Sequence, residues 1–385
     1  MRQWRIPAVF MRGGTSKAVM FRAQDLPAQR GDWDAIFLSA LGAPDPNGRQ
    51  LDGMGGGVSS LSKVCIIGPP SRPDADVDYT FGQVSVRAAL VDYSGSCGNM
   101  SSAIGPFALE EGMLPNAPRD GEVVVRIHDT NAGRIIVARF EAAGGEALVE
   151  GSLALDGVSG TGAPIRLEFL DPGGARSGAL LPTGQARDWL EVPGLGRIEA
   201  SMVDAASPAV FVRAADLGRT GAELPGDLDA DPGFHQAMEA IRVAAALAMG
   251  LAPDAATAAH KPSMPRIAMI APSTAATLLS GGSLAAADAD LTVRMLSMGL
   301  AHRAVPATGA LCLGVASRIP GSLVAEAAAG ASGSIRIAHA SGVTVVDALV
   351  EPGPDGLHCR HAVLYRTARR LFEGRVLVRH GALAA

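Results

Sequence analysis

Short segments of alternating apolar and polar residues recur along this chain and limit the fold classes open to it. The clearest are QVSVRAALVDY (83–93), EVVVRIH (122–128), GRIIVARF (133–140) and SIRIAHA (334–340). Such alternation, ended by Gly, Asp, Asn or Pro, is typical of strands with one buried face. Helices are fewer and are predicted at 100–114, 234–251 and 310–321. Because strands outnumber helices and do not alternate with them, we predict an α+β fold with mostly antiparallel sheets rather than a doubly wound fold.

Composition excludes several partners and environments. At 385 residues and 48% hydrophobic content, the chain exceeds the usual size of a single core, which predicts two domains. The formal net charge is −5 and the basic residues are dispersed, so neither a nucleic acid nor a membrane is an expected partner. The start of the chain lacks a signal-peptide pattern, which predicts a cytoplasmic protein with reduced thiols. The cysteines and histidines show no metal-ligand spacing, so no metal is predicted.

Two stretches of the chain are similar to each other. SGSCGNMSSAIGPFAL in the first half and AVPATGALCLGVASRIPG in the second are each a glycine-containing turn followed by a helix of small residues. This similarity predicts two similar domains, each with a buried helix wrapped by strands, and the Pro/Gly cluster at 171–184 is the predicted crossing between them. The predicted domains are 1–185 together with a C-terminal strand at 374–385, and 186–373.

Cys97 is the first candidate for chemistry. It precedes a predicted helix, and unpaired N–H groups at a helix N-terminus stabilise anions such as a thiolate or a substrate carboxylate. Free cysteine is also among the most buried residue types, so a role in core packing is the alternative. The neighbouring Gly95, Gly98 and Asn99 favour the chemical role, because they form a turn and permit close approach of a ligand.

A glycine- and serine-rich loop leads into Lys63. Its N–H and hydroxyl groups could form a nest for a carboxylate or phosphate, although the Walker spacing is absent. Lys63 then opens an apolar strand, VCII, where partial desolvation would suit a base; a solvated lysine at a strand edge is the alternative. The candidate donors of this loop are Gly53, Gly55, Gly56, Gly57, Ser59, Ser60 and Ser62.

Other polar residues lie beside small ones. The segment FMRGGTSKAVMF (10–21) is predicted as a hairpin whose turn presents Thr15, Ser16 and Lys17. In the second half each candidate, taken singly, is better explained as a surface charge or a satisfied core histidine. These candidates are His260, Lys261, His302, Arg303, Thr308 and His339.

Taken in order, these motifs resemble one family. FMRGGTSK, DGMGGGVSSLSK, VDYSGSCGNMSSAIGPFA, FLDPGGARSGALLPTG, FVRAADLGRTGAE and ATGALCLGVASRIPG are similar to the PrpF family of cofactor-independent isomerases, from about residue 5 to residue 378. The resemblance implies the diaminopimelate-epimerase fold: two similar domains, each a barrel-like, mostly antiparallel sheet around a central helix. It also implies an active site in the cleft where the two helix N-termini face each other, and no cofactor.

The resemblance implies an acid/base pair as well. Epimerase relatives place one cysteine at each helix start, but here Pro306 stands at the second position and Cys312 lies further along, inside the helix. In the PrpF family a lysine at the position of Lys63 is the partner of the cysteine at Cys97. Such enzymes shift a double bond, or change its geometry, in 2-methylaconitate, methylitaconate, aconitate or oxalomesaconate by way of an enolate.

Further substrate contacts follow from the same resemblance. Positioned donors for the enolate and cationic partners for the carboxylates are expected around the pair. Besides the loop donors and hairpin turn given above, the predicted contacts are Arg12, Gly98, Asn99, Met100, Lys261, Met264, His302, Arg303, Thr308 and Gly309. Ala179 and Ser207 depart from the residues that many relatives carry, which leaves the exact acid open. The segments RQLDGMGG and VDYTFGQV resemble the methylaconitate branch of the family more than its oxalomesaconate branch.

Three other hypotheses remain at this point. The chain could be a 4-oxalomesaconate tautomerase, or a non-catalytic protein that binds a tricarboxylate and supports a dehydratase. An amino-acid epimerase is disfavoured because the second thiol is missing. A homodimer is compatible with the sequence.

Overall fold

The computed structural model divides the chain into two compact units. It describes residues 3–93, 95–261, 264–297, 300–331, 333–354 and 356–379. Unit 1 comprises Met1–Glu168 and Tyr365–Ala385, and unit 2 comprises Phe169–Leu364. The boundaries predicted from the sequence, after residues 185 and 373, lie further along the chain than these.

Strands dominate the described part of the chain. They are β1 (Trp4–Gly13), β2 (Ser16–Arg22), β3 (Lys63–Gly68), β4 (Val77–Val84), β5 (Val91–Asp92), β6 (Gly121–Asp129), β7 (Arg134–Ala143), β8 (Glu146–Ala147), β9 (Leu153–Leu155), β10 (Val158–Gly162), β11 (Ile165–Leu170), β12 (Asp188–Val192), β13 (Gly196–Ala205), β14 (Ser207–Arg213), β15 (Arg266–Pro272), β16 (Ala276–Thr277), β17 (Ser283–Leu284), β18 (Leu291–Ser297), β19 (Leu300–Ala301), β20 (Ile335–His339), β21 (Gly342–Gly353), β22 (Gly356–Arg366) and β23 (Ala368–Val378). The helices are α1 (Trp33–Leu41), α2 (Ser101–Glu110), α3 (Pro225–Asp229), α4 (Pro232–Ala248), α5 (Ala255–Ala259), α6 (Ala307–Ser317) and α7 (Leu323–Ala327).

The three predicted helices are confirmed as α2, α4 and α6, and three of the four predicted strands as β6, β7 and β20. The prediction of one strand over 83–93 is wrong. Strand β4 ends at Val84 and β5 begins only at Val91, because a turn lies between them. The Ser85 hydroxyl accepts the N–H of Ala88 at 3.1 Å, and the Ser85 N–H donates to the carbonyl of Leu90 at 2.9 Å. A local side-chain bond therefore replaces the strand here.

Unit 1 is a sheet with one helix on each face. Strand β1 forms an antiparallel hairpin with β2 and pairs along its whole length with β23. The sheet continues through β2–β3 (parallel), β3–β4 (antiparallel), β4–β6 (parallel) and β6–β7 (antiparallel). Val19 and Val64 pack with α1 in one core, whereas α2 packs on the other face. The residues of α2 from Ser101 to Ala108 are all buried, which small side chains permit.

Unit 2 repeats this order of pairing. Strands β13–β14 are antiparallel, β14–β15 parallel, β15–β18 antiparallel, β18–β20 parallel and β20–β21 antiparallel. Helix α6 is buried in one core of the unit and α4 packs in the other. The register matches too, because Val210 lies opposite Ile267 in unit 2 as Val19 lies opposite Val64 in unit 1. The prediction of two similar units is therefore confirmed, and Arg266 occupies the position of Lys63.

Candidate active site

Lys63 is a buried lysine held by neutral groups. It is the first residue of β3 and only 8% exposed, directly opposite Gln83 of β4. Its Nζ donates to Oε1 of Gln83 at 2.5 Å and lies 5.0 Å from the ring centroid of Phe81. An aromatic face and an amide oxygen both attract an ammonium group. Lys63 is therefore shielded from solvent, as predicted. Its partners, Gln83 and Phe81, were not predicted from the sequence.

The loop before Lys63 is closed by the side chain of Gln50. Gln50 is 1% exposed; its Nε2 donates to the Ser62 hydroxyl at 2.8 Å, and its Oε1 accepts the N–H of Gly57 at 3.0 Å. A Cβ on Gly55 would lie 2.3 Å from the Gln50 side chain, so glycine is needed for this close approach. The loop amides that already donate to acceptors of the protein are those of Gly53, Met54, Gly55 and Gly57.

This geometry corrects the expectation that Gly53, Gly55 and Gly57 form a nest for a substrate anion. The amides of Gly53 and Gly57 donate to Gln50 and that of Gly55 to Leu41 at the end of α1, and the Ser62 hydroxyl accepts from Gln50. The residues Ser59, Ser60 and Leu61 form one 3-10 turn, and the carbonyl of Ser59 accepts the Gln83 amide at 3.1 Å. In the structure the loop supports the strand end that carries Lys63. Gly56 is exposed beside it.

Cys97 lies in the turn that precedes α2 and is partly buried. Its carbonyl accepts both the N–H of Ser101, at 3.0 Å, and the Ser101 hydroxyl, at 3.1 Å. The first turn of the helix is thereby tied to this residue. Gly98 and Met100 are buried in the same turn.

The buried thiol of Cys65 interacts electrostatically with both Lys63 and Cys97. Cys65 follows Lys63 by two residues, so both side chains lie on the sheet face that α2 covers. Burial is the main cause that raises the pKa of Cys65; a negative charge at Cys97 raises it further, and the ammonium of Lys63 lowers it. The pKa of the neighbouring Tyr79 is raised by burial and then by Cys65 and Cys97. Amine and thiol therefore both lie within electrostatic reach of Cys65.

Two residues of β6 and its turn fix the segment that carries Cys97. The Asn131 amide accepts the N–H of Phe81 at 2.8 Å and donates to the carbonyls of Phe81 (2.9 Å) and Tyr93 (2.7 Å). Asp129, 2% exposed, accepts the N–H of Asn131 at 3.0 Å and a hydrogen bond from Ser96. Burial raises the pKa of Asp129. The chain just before Cys97 is thus joined to the strand that carries Phe81 and Gln83.

Asn99 connects this turn to the β1–β2 hairpin. Its Nδ2 donates to Oγ1 of Thr15 at 3.1 Å, and its Oδ1 accepts Nε of Arg366 at 3.0 Å. Gly14 has φ +52°, and a Cβ there would lie 2.4 Å from Oδ1 of Asn99. Only glycine suits both this conformation and this approach. The predicted residues Thr15 and Asn99 are therefore brought together. Ser16, also predicted, is buried on the sheet face of Cys65.

Arg366 is a buried guanidinium that the sequence analysis missed. It is 6% exposed, and burial lowers its pKa to about 10. Its hydrogen bonds in the described part of the chain go to neutral oxygens, Oδ1 of Asn99 and the carbonyl of Tyr365 (2.9 Å). A buried cation with neutral partners creates a positive potential around the turn of Cys97. No local pattern indicates it, because 267 residues separate Arg366 from Asn99.

Arg12 and Lys17 lie on the other face of the sheet from Lys63. They are opposite each other in the β1–β2 hairpin and share the face of Val19, which is opposite Val64 of β3. The Nη1 of Arg12 donates to the carbonyls of Gly14 (3.0 Å) and Thr367 (2.9 Å) and to the Thr367 hydroxyl (2.9 Å). The Nζ of Lys17 lies 5.5 Å from the Phe10 ring. Both cations therefore stabilise the hairpin in this structure, and neither is brought to Lys63.

In unit 2 the position of Lys63 holds an arginine that was also missed. The Nε of Arg266 is buried and has no hydrogen-bond partner among the described residues, and burial lowers the pKa of this side chain. Its Cδ lies 3.7 Å from where a Cβ on Gly309 would be, at the start of α6. Burial lowers the pKa of His302, and the charge of Arg266 lowers it further. The predicted Gly309 and His302 are thus grouped around Arg266, and Thr308 is half-buried beside Gly309.

The remaining predicted contacts of unit 2 are not part of this group. The carbonyls of Lys261 and Met264 accept the buried guanidinium of Arg242, at 3.2 and 2.8 Å. The side chain of Lys261 is exposed, as is that of Arg303. Residues 262 and 263, which lie between the predicted contacts Lys261 and Met264, are outside the described residues. Cys312 is fully buried in the core, as expected from its place inside the helix.

The part of the chain that the structure describes lacks two further features. There, no group of three or more His, Cys, Asp or Glu side chains is placed to hold a metal ion. No described helix is long and apolar enough to cross a bilayer.

The comparisons with known proteins agree with this geometry. The sequence profile of the PrpF protein family matches residues 3–379. The chain belongs to the PrpF family. It is 42% identical to the 2-methyl-aconitate isomerase of Shewanella oneidensis, over 98% of this chain and 97% of that one. It is also similar to a solved structure of a methylitaconate-delta-isomerase, with 38% identity and a TM-score of 0.90, over 100% of this chain and 98% of that one.

A more distant structure bears on the fold alone. The hydroxyproline epimerase of Agrobacterium vitis is 14% identical, with a TM-score of 0.52, over 98% of this chain and 94% of that one. The predicted α+β, diaminopimelate-epimerase-like fold and the predicted membership of the PrpF family are both confirmed.

Among the thiols of this PrpF protein, Cys97 is expected to react alone. Cys65, Cys312 and Cys359 are buried; burial raises the pKa of each, that of Cys359 to about 12, so all three stay protonated at neutral pH. Treatment with iodoacetamide at about pH 8 should add one group per chain at Cys97, and none in Cys97→Ser. Peptide mass spectrometry checks this, and fast labelling of Cys65 in the folded protein would contradict it.

Proposed function

We propose that the chain is an isomerase of a small unsaturated di- or tricarboxylate of the 2-methylaconitate type, acting without a cofactor. Membership of the PrpF family and the similarity to a 2-methyl-aconitate isomerase support this. The observation that carries the proposal is that the buried Lys63 and the thiol of Cys97 both lie within electrostatic reach of Cys65, which follows Lys63 by two residues on the same sheet face. An amine and a thiol close to one buried residue suit a reaction that removes and returns a proton.

The proposed reaction conserves the atoms of the substrate. One group of the Lys63/Cys97 pair removes a proton from a carbon conjugated, directly or through the double bond, with a carboxylate. The electron pair of the C–H bond moves into the π system and forms an extended enolate. The other group, or the first after rotation of the intermediate, returns a proton at an allylic carbon. The product is the shifted or geometrically isomerised alkene. If one group does both transfers, the pair is restored at once; if the second group returns the proton, a proton must pass from the first group to the second, directly or through water, before the next turnover.

The enolate needs positive potential where its charge develops. Arg366 is the residue that we propose for this, because its buried guanidinium is bonded to neutral oxygens beside the turn of Cys97. In unit 2 the position equivalent to that of Lys63 holds Arg266, which keeps its proton at neutral pH. We therefore assign proton transfer to Lys63 and Cys97 of unit 1 and none to Arg266.

Proton NMR in D2O tests the proposal. Purified protein is offered 2-methylaconitate, methylitaconate, trans-aconitate and 4-oxalomesaconate in separate tubes, with Cys97→Ser alongside. Deuterium uptake and isomerisation of 2-methylaconitate or methylitaconate, lost in the variant, is the expected result.

The same experiment separates the competing functions. Turnover of oxalomesaconate alone would identify a tautomerase. A rise of the melting temperature with one acid, without deuterium uptake, would identify a binding protein. Uptake into an amino acid would favour an epimerase.

A further inference from the structure

Gln83 binds the amine of Lys63 through an atom that cannot donate a hydrogen bond. Its Oε1 accepts Nζ of Lys63 at 2.5 Å, and the two residues face each other across adjacent antiparallel strands. An ammonium group has three N–H donors, so this contact leaves two of them for other partners. The Phe81 ring, 5.0 Å from Nζ, limits the directions in which they point.

The orientation of the Gln83 amide is set by the backbone. Its Nε2 donates to the carbonyls of Ser62 at 2.8 Å and Ser59 at 3.1 Å. A flipped amide would place its oxygen against these two carbonyls and its NH2 group against the ammonium, leaving every contact repulsive. The carbonyl of Ser62 is itself held in a loop that Gln50 closes. Oε1 of Gln83, the acceptor of the Lys63 amine, is therefore held in one position by the hydrogen bonds of the same amide to the backbone.

The titratable groups of the described chain that interact around Lys63 are Cys65 on its own strand, Tyr79 on β4, Cys97 in the turn before α2 and, through Tyr79, Asp129 at the end of β6. The two thiols and the phenol are neutral when protonated, and burial raises the pKa of Asp129. A carboxylate in place of the Gln83 amide would favour the ammonium form strongly, and an apolar side chain would favour the free amine. An amide favours the ammonium form less than a carboxylate does and more than an apolar side chain does.

We propose that Gln83 is a positioning residue that fixes the Lys63 amine in place while leaving it free to exchange its proton during turnover. This inference rests on the proposed role of Lys63 as a proton-transfer group, but the position of the amine and its titration can be measured without any activity. The substitution that discriminates best is Gln83→Glu, because it keeps shape and acceptor and adds one negative charge.

NMR of labelled lysine tests the inference directly. The chain has three lysines, Lys17, Lys63 and Lys261, so a protein labelled with [13Cε]lysine gives three assignable signals. Lys17→Arg and Lys261→Arg assign them. The titration of the Lys63 signal is then followed in the native protein, Gln83→Glu, Gln83→Leu and Gln24→Glu. Gln24 is an exposed residue of unit 1, so Gln24→Glu controls for the added charge.

Opposite shifts are the expected result. In Gln83→Glu the midpoint of the Lys63 titration should rise by about 1 to 3 pH units, the usual effect of a charge at this distance. In Gln83→Leu it should fall, and in Gln24→Glu it should not move. The limb of the kcat/KM–pH profile that depends on Lys63 should shift in the same directions, with KM changing less than kcat.

Other outcomes overturn the inference. If the Lys63 midpoint is the same in Gln83→Glu as in Gln24→Glu, Gln83 does not control the proton of Lys63. If activity falls in both Gln83 variants with no change of either midpoint or pH profile, the role of Gln83 is structural only. If the midpoints move as expected but the native protein turns over no acid, the inference stands and the proposed function fails.

Discussion

Lys63→Met and Cys97→Ser are each expected to lower kcat by about 10² to 10⁴, the usual contribution of one acid/base group. Met has nearly the length of Lys without its proton, and the serine hydroxyl is too weak an acid to exchange one at neutral pH. Because both groups serve one proton path, the double variant should be about as slow as the slower single variant. Losses that multiply would show instead that the two residues act independently.

Steady-state kinetics with the acid identified by NMR measures these losses. Cys359→Ser is the matched thiol control, since Cys359 is buried in unit 2 and its Sγ donates to the carbonyl of His361 at 3.4 Å. It should keep native kcat. Thermal melts of all variants show whether they fold. Native activity in either Lys63→Met or Cys97→Ser would exclude the proposed pair.

Arg366→Met is expected to reduce activity while leaving stability unchanged or raising it. The folded state lowers the pKa of Arg366 to about 10, so the protonated form, which dominates at every pH below that value, is destabilised by folding. At roughly 1.4 kcal/mol per pKa unit this costs the folded protein a few kcal/mol at neutral pH. Methionine removes the buried charge and keeps much of the volume. The expected loss of kcat/KM is about 10- to 100-fold, the value of a hydrogen bond to a charged group.

Arg242→Met is the matched comparison for this prediction. Arg242 is equally buried, but it pairs with Glu239 and donates to three carbonyls, those of Ala258, Lys261 and Met264. Its removal leaves these acceptors unpaired, so the melting temperature should fall. Equal destabilisation by both substitutions, with native kcat/KM in Arg366→Met, would show that Arg366 has only a structural role.

Local sequence patterns were sufficient to predict the fold class and three of the seven helices in the described part of the chain; α1, α3, α5 and α7 were not predicted. Helices α2 and α6 follow glycine-containing turns and consist of small residues, and this pattern is visible within about fifteen residues of the chain. The similarity of the two stretches predicted two similar units because both the turn and the helix are repeated. The boundary at 185 was placed at the far end of the Pro/Gly cluster at 171–184, whereas compactness divides the chain after Glu168, just before that cluster begins.

The partners of the site residues could be identified only from the register between strands. Whether Arg12 and Lys17 share a face with Lys63 depends on Val19 lying opposite Val64, which no local pattern gives. The same holds for Gln83, which meets Lys63 only through the pairing of β3 with β4. The glycine loop was predicted as an anion nest, but the amides of Gly53 and Gly57 donate to Gln50 and that of Gly55 to Leu41, acceptors that the local sequence does not indicate.

The pairing of β1 with β23 affects how the protein is made. Trp4 lies opposite Val378 and Gly13 opposite Ala368, so β1 is synthesised long before the strand that pairs with it. At roughly 5–20 residues per second, the ribosome needs about 10–40 s to make Phe169–Leu364 in between. During that time β1 lacks one neighbour, and Asn99 lacks Arg366. Unit 2 can therefore be completed while unit 1 is still without β23, and the buried guanidinium reaches the turn of Cys97 only afterwards.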